Sequence, residues 1–142
     1  MTIAAILKTK GEVVTVTPST TVADAVALLA DKRIGAMPVI DESGAVLGIF
    51  SERDVIHCLQ AKGADALAGL VGEAMTAPAI TVSPDQPAIA ALSLMSQRRF
   101  RHLPVVDRGR LVGFVSIGDL VQYRIDRIEA DAAAMRDYIQ SA

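Results

Sequence analysis

The stretch Gly48-Ile-Phe-Ser-Glu-Arg-Asp54 is written twice in this chain, the second time as Gly113-Phe-Val-Ser-Ile-Gly-Asp119. Each copy is a short apolar run ending on a serine, with an aspartate three residues later opening an amphipathic segment. That spacing puts a hydroxyl and a carboxylate on the first turn of a helix, where backbone N–H groups lack intrahelical partners. Such a corner can hold a sugar diol or a phosphate. It can also simply cap its own helix, stabilising it by about 0.5–2 kcal/mol with no ligand.

Working outward from the first copy, Met37-Pro-Val-Ile40 turns through Asp41-Glu-Ser-Gly44 into Val46–Phe50, which predicts a hairpin. Upstream, Thr21 is placed to cap a helix with Asp24 three residues on, and Val22, Ala25, Val26 and Leu29 follow at helical spacing until near Gly35. Val13–Val16 is a β-prone run broken at Pro18, and Thr2–Leu7 predicts one or two helical turns stopped by Gly11. After Ser51 a helix carrying Val55, Ile56 and Leu59 fades before Gly63. A small-residue connector follows, with a short helix expected around Leu70, Val71, Ala74 and Met75.

The series of elements then recurs. Val14-Thr-Val-Thr-Pro18 is echoed by Ile80-Thr-Val-Ser-Pro84, and Met37-Pro-Val-Ile-Asp41 by Leu103-Pro-Val-Val-Asp107. Prolines 18 and 38 reappear at 84 and 104, a step of 66. The serines, 51 and 116, are 65 apart because the second turn, Arg108-Gly-Arg110, is one residue shorter. A length change confined to a turn is what a duplicated unit tolerates. The chain divides into an N-terminal helical segment (1–11), a first repeat (12–66), a connector (67–77) and a second repeat with an extended helix (78–142). Each half, read as strand–helix–strand–strand–helix, has little core of its own. The expected fold is therefore α/β (α+β), with two repeats face to face in pseudo-twofold symmetry and clefts between them. On the last helix Val121, Ile125, Ile128, Ala132, Met135 and Ile139 form a seam that one module cannot cover, which predicts a homodimer.

Composition bounds the function. The 142 residues make one domain or two very small ones, 51% hydrophobic but only 4% aromatic, so the core is aliphatic. A net charge of −2 argues against nucleic-acid binding by the whole surface. No apolar run approaches the ~20 residues needed to span a membrane, and the N-terminus lacks a secretory leader. With the lone Cys58, these features predict a cytoplasmic protein. His57 and His102 are the only histidines, and no metal-ligand spacing, nucleophile–base pair or Gly-rich phosphate loop is present. No enzyme, catalytic cofactor or metal site is expected.

The duplicated h-T-h-x-P, apolar-Pro-Val-h-Asp and Gly-h-h-Ser-x-x-Asp motifs, in that order, resemble the tandem CBS (cystathionine-β-synthase-like) domain, or Bateman module. Stand-alone two-repeat proteins are the nearest in pattern. The resemblance implies adenosine-nucleotide binding in two clefts, with the aspartate of one repeat accepting from ribose hydroxyls and the other repeat supplying an adenine slot. Carried onto this chain, one cleft combines Ile49, Ser51 and Asp54 with Ile80, Phe100, Arg101, His102 and Pro104, and Arg53 is a further phosphate candidate. The other combines Phe114, Ser116 and Asp119 with Val14, Ile34, Ala36 and Pro38. A carboxylate is acceptor-only and suits a diol that donates twice. The first repeat has Gly35 where the second has Arg101, so the Asp119 cleft is expected to lack charge and the Asp54 cleft to handle phosphate better.

Two functions follow. One is a sensor that binds AMP, ADP, ATP or NAD(H) and modulates a partner protein not identifiable from the sequence. The other is a ligand-independent oligomerisation or interaction scaffold working through its last helix.

Overall fold

The computed structural model describes residues 1–141. Its frame is two antiparallel hairpins, β1 (Ala36–Ile40) with β2 (Val46–Ser51), and β3 (His102–Asp107) with β4 (Arg110–Ser116). The first hairpin turns on Asp41, whose Oδ1 accepts from the Ser43 N–H (2.9 Å), the Ala45 N–H (3.1 Å) and the Ser43 hydroxyl (2.6 Å). The second turns in two residues, Arg108 and Gly109, both at positive φ (54° and 79°) as the tightest hairpin loops require. The helices are α1 (Ile3–Leu7), α2 (Val22–Lys32), α3 (Glu52–Lys62), α4 (Val71–Ala74), α5 (Ala88–Arg98) and α6 (Ile117–Ser141). Thr21 caps α2 as its sequence predicts, accepting the Asp24 N–H at 3.1 Å. No helix among the described residues is long and apolar enough to cross a membrane.

The predicted first strand of each repeat is corrected to a single bridge, Val16 with Val39 and Val82 with Val105, both parallel. Proline is the reason. The Val16 N–H reaches the Pro38 carbonyl (3.2 Å) and the Ile40 N–H reaches the Val16 carbonyl (2.9 Å). Extending this ladder toward Val14 needs an N–H at residue 38, which proline does not have. Pro104 stops the second ladder before Ile80 in the same way, leaving only the Val82 N–H to Pro104 carbonyl bond (3.0 Å) and its partner from Val106 (2.8 Å).

The two repeats exchange their leading helices. Ile3 and Ile6 of α1 lie in the core of the second repeat with Val82, Met95, Leu103, Val105, Val115 and Leu120. The Ile3 and Ala4 N–H groups bind the carbonyls of Gln86 (2.9 Å) and Pro84 (2.8 Å). In the mirror arrangement, Val71 of α4 enters the first repeat's core with Val16, Val22, Leu29, Met37, Val39 and Phe50. Its N–H binds the Thr20 carbonyl at 2.8 Å. Gly113 and Gly48 make the close approach possible. A Cβ on Gly113 would meet the Leu7 side chain at 2.5 Å, and one on Gly48 would meet the Thr76 carbonyl oxygen at 2.6 Å.

The α6 seam is exposed in the single chain, with Val121, Ile125, Ile128, Met135 and Ile139 all open to solvent. Ile56 and Leu59 on α3 are also exposed, so the apolar positions of that helix are only partly used inside the chain.

Two stability measurements check this packing. Ile6→Ala, remote from the first repeat, should cost about 2–5 kcal/mol in denaturant unfolding, because it empties a core position of the second. Gly48→Ala should cost about 1–3 kcal/mol and more than Gly113→Ala, since a backbone carbonyl yields less than the tip of a leucine.

Candidate ligand-binding corners

Both serine–aspartate pairs form reciprocal helix caps. At the first, the Asp54 Oδ2 accepts the Ser51 N–H (2.9 Å) and hydroxyl (3.1 Å), while the Asp54 N–H points back to the Ser51 Oγ at 3.4 Å. At the second, the Asp119 Oδ2 accepts the Ser116 N–H (2.8 Å) and the Ser116 Oγ accepts the Asp119 N–H (3.0 Å). The capping geometry is thus present at both corners. It occupies one carboxylate oxygen and leaves the other to be accounted for.

That second oxygen separates the corners. Asp54 is 7% exposed, and its Oδ1 accepts the Thr76 hydroxyl at 2.8 Å. Thr76 is fixed in turn by paired backbone bonds with Ile49, each 2.9 Å. The Asp54 carboxylate is therefore satisfied on both oxygens by the protein. Asp119 is more open, and its Oδ2 also accepts from the Lys10 ammonium, the one ion pair among the described residues. Its Oδ1 accepts no hydrogen bond among the described residues. Burial raises the Asp119 pKa, but the Lys10 and Ser116 hydrogen bonds and the Lys10 charge outweigh it, so the carboxyl lies below its ordinary value of 3.8.

Lys10 corrects the expectation that the Asp119 corner lacks charge. It and Thr76 were both missed in the sequence, where no motif marks either residue. The exchanged helices repeat at a step of 68, since the bonds of the Ile3 and Ala4 N–H groups to the Gln86 and Pro84 carbonyls are matched by those of Val71 and Gly72 to Thr20 and Pro18. Thr76 therefore corresponds to Lys8, and Lys10 lies two residues further on. Each follows an exchanged helix and reaches the aspartate of the repeat that helix packs on.

A cavity opens beside the Asp119 corner, with about 600 Å³ of empty space including its mouth. Val14, Ile34, Ala36 and Phe114 line it, together with Leu7, Lys10 and Val112. Four residues assigned to this cleft from sequence thus meet on one wall. Val14 and its counterpart Ile80 make no backbone hydrogen bond among the described residues, so their peptide groups are open to a ligand edge. Pro38 and Pro104 are buried mid-strand opposite Ile49 and Phe114 respectively. Phe100 packs on the core of the second repeat, Ile80 is exposed, and the Arg53 and Arg101 side chains are exposed without an ion-pair partner among the described residues. The Arg101 carbonyl accepts the Ile117 N–H at 2.8 Å.

His102, grouped by sequence with Asp54, is stacked on Phe114, ring centroids 5.4 Å apart and planes within 9°. Burial lowers its pKa below the ordinary 6.5, and the nearby Asp119 charge only partly opposes this. The lowered pKa favours the neutral ring, which lies flat against Phe114.

Two duplicated hairpin-and-helix units that exchange leading helices around paired serine–aspartate corners define a tandem-repeat α/β module. The CBS domain family model matches residues 3–61 and 71–126, and the chain belongs to that family. Its matches begin at the first residues of α1 and α4, so the family unit includes the exchanged helix. The chain is 34% identical to the CBS domain-containing protein YhcV of Bacillus subtilis over 122 residues, 86% of each chain. Among solved structures it is similar to the CBS-domain containing protein ATU1752 of Agrobacterium tumefaciens, with TM-score 0.81, 38% identity and coverage of 87% and 99%. It is also similar to CBSX2 of Arabidopsis thaliana in complex with AMP, with TM-score 0.77, 30% identity and coverage of 88% and 96%.

The difference between the corners is measurable. Thr76→Val leaves a buried carboxylate oxygen unpaired and should cost about 1–3 kcal/mol. Lys10→Met removes a half-exposed pair and should cost no more than about 1 kcal/mol. Because the folded Asp119 pKa is depressed, the contribution of the pair is complete above the unfolded value and lost as pH falls through the folded one. Urea unfolding of Lys10→Met and the unmodified chain should therefore differ at pH 7 and converge in strong acid.

Proposed function

We propose that this chain is a regulatory module that binds an adenine nucleotide in the clefts between its repeats and, through that binding, modulates a partner protein. AMP, ADP, ATP and NAD(H) all present the adenosine such a cleft would read. The observation that carries the reading is the Asp119 cavity. An apolar slot of Val14, Ile34, Ala36 and Phe114 suits a purine face, and open backbone at Val14 suits its edge. An acceptor-only carboxylate with one oxygen unclaimed suits a ribose diol. Support comes from CBSX2, a relative of similar size and fold that binds AMP. The role is regulatory rather than catalytic. Regulation requires that the ligand bind two states of the module with different affinity, since equal affinity shifts nothing.

We assign the exposed α6 seam to a second copy of this chain. Ile128 and Ile139 are 55% and 66% exposed, on a helix whose first turns alone pack on the module. A pairing along the seam would have to bury about 1,000 Å² or more to be specific.

A thermal-shift panel tests the ligand. An adenylate at about a hundred times its dissociation constant adds about 2.7 kcal/mol and should raise the midpoint, whereas guanine nucleotides should not. Asp119→Ala should lower affinity in calorimetry by about tenfold or more while the chain stays folded. No midpoint change with any adenylate would leave the scaffold as the better reading. For the seam, light scattering at tens of micromolar should give a dimer that Met135→Glu or Ile139→Glu weakens.

A further inference from the structure

Lys10 is an unusual occupant for a ligand corner. At the other corner, Thr76 holds Asp54 with a short, β-branched side chain pinned by two backbone bonds. Lys10 instead reaches Asp119 through a flexible four-carbon stem, and the two partners are 32% and 28% exposed. It lines the same cavity as Val14, Ile34, Ala36 and Phe114. Its ammonium sits on Oδ2, which already carries the Ser116 N–H, and leaves Oδ1 without a protein donor.

We infer that Lys10 is a displaceable counter-ion that makes the Asp119 cleft selective for 5′-phosphorylated adenosine over adenosine itself. The inference rests on the adenylate reading above and names the residue that would discriminate within it. The ammonium pairs with Asp119, which would otherwise be a partly buried carboxylate without a counter-charge. A ribose diol donates two hydrogen bonds to that carboxylate and competes with the ammonium for it. With adenosine, Lys10 then loses its partner and the exchange gains little. With a nucleotide, the same ammonium swings to the phosphate and forms a charge-assisted bond in place of the one it gave up. No covalent bond is made or broken; the ammonium exchanges one anionic partner for another. The neighbouring groups leave this task to Lys10. Among the residues that line the cavity Lys10 is the one cation and Glu12 the one acid, and Arg101, whose carbonyl binds the Ile117 N–H, is not part of that lining.

Calorimetry with AMP and with adenosine, on the unmodified chain, Lys10→Met and Lys10→Arg, tests this in the binding phase that Asp119→Ala removes. The unmodified chain should prefer AMP by about tenfold or more. Lys10→Met keeps the stem without the charge, so it should bind adenosine at least as well while AMP weakens until the two are alike. Lys10→Arg should restore the preference. An AMP-to-adenosine ratio in Lys10→Met equal to that of the unmodified chain would overturn the role of Lys10 while leaving adenylate binding intact. Failure of the unmodified chain to bind either molecule would overturn the adenylate reading itself, and this inference with it.

Discussion

Neither hairpin of this protein can close its own core. β1 and β2 have one face against α2, and the space remaining is filled by Val71 from the helix that leads into the other repeat. β3 and β4 are completed by Ile3 and Ile6 from the very start of the chain. This exchange explains features that look unrelated in isolation. It requires glycines at 48 and 113, where a helix end lies against the middle of a strand. It also carries the residues after each exchanged helix to the far repeat, so that Thr76 arrives at Asp54 and Lys10 at Asp119. The corners are therefore products of the packing.

At both corners a helix cap engages one oxygen of a carboxylate. The cap uses Oδ2 together with the serine, and it fixes the direction in which Oδ1 points. Only the second oxygen is left free of the cap. At Asp54 that oxygen has gone to a threonine hydroxyl, and the corner is structural as it stands. At Asp119 it has no protein donor among the described residues, and the nearby charge is one that can move. A duplicated fold has arrived at two corners of different availability through non-equivalent residues that follow the exchanged helices.

The prolines work in a comparable way. A proline in the middle of a strand is usually an edge feature, because it cannot donate to a ladder. Here that deficit ends the pairing of the first β-prone run after one bridge and leaves the backbone at Val14 and Ile80 unclaimed. In the Asp119 cavity this unpaired backbone lies beside Ile34 and Phe114. The same residue that limits the sheet thus exposes the peptide groups a flat polar edge would need.

The sequence by itself determined what short-range spacing can encode. The 66-residue repeat, the hairpins, the Thr21 cap, the serine–aspartate corners and the apolar seam of α6 all rest on contacts within a few positions or on a pattern copied whole. The four apolar residues of the Asp119 slot were legible through the family resemblance. What only the tertiary structure decided were relationships between distant residues. Lys10 meets Asp119 across 109 positions, and nothing local to either residue marks the pair. His102 was assigned to the Asp54 cleft through the family resemblance, and the stacking of its ring on Phe114 is visible only in the structure. The first strand was read from its β-branched residues, but its length is set by a hydrogen-bond donor missing from another strand. Local propensity specifies each element, and the exchange of helices between repeats specifies which side chains meet.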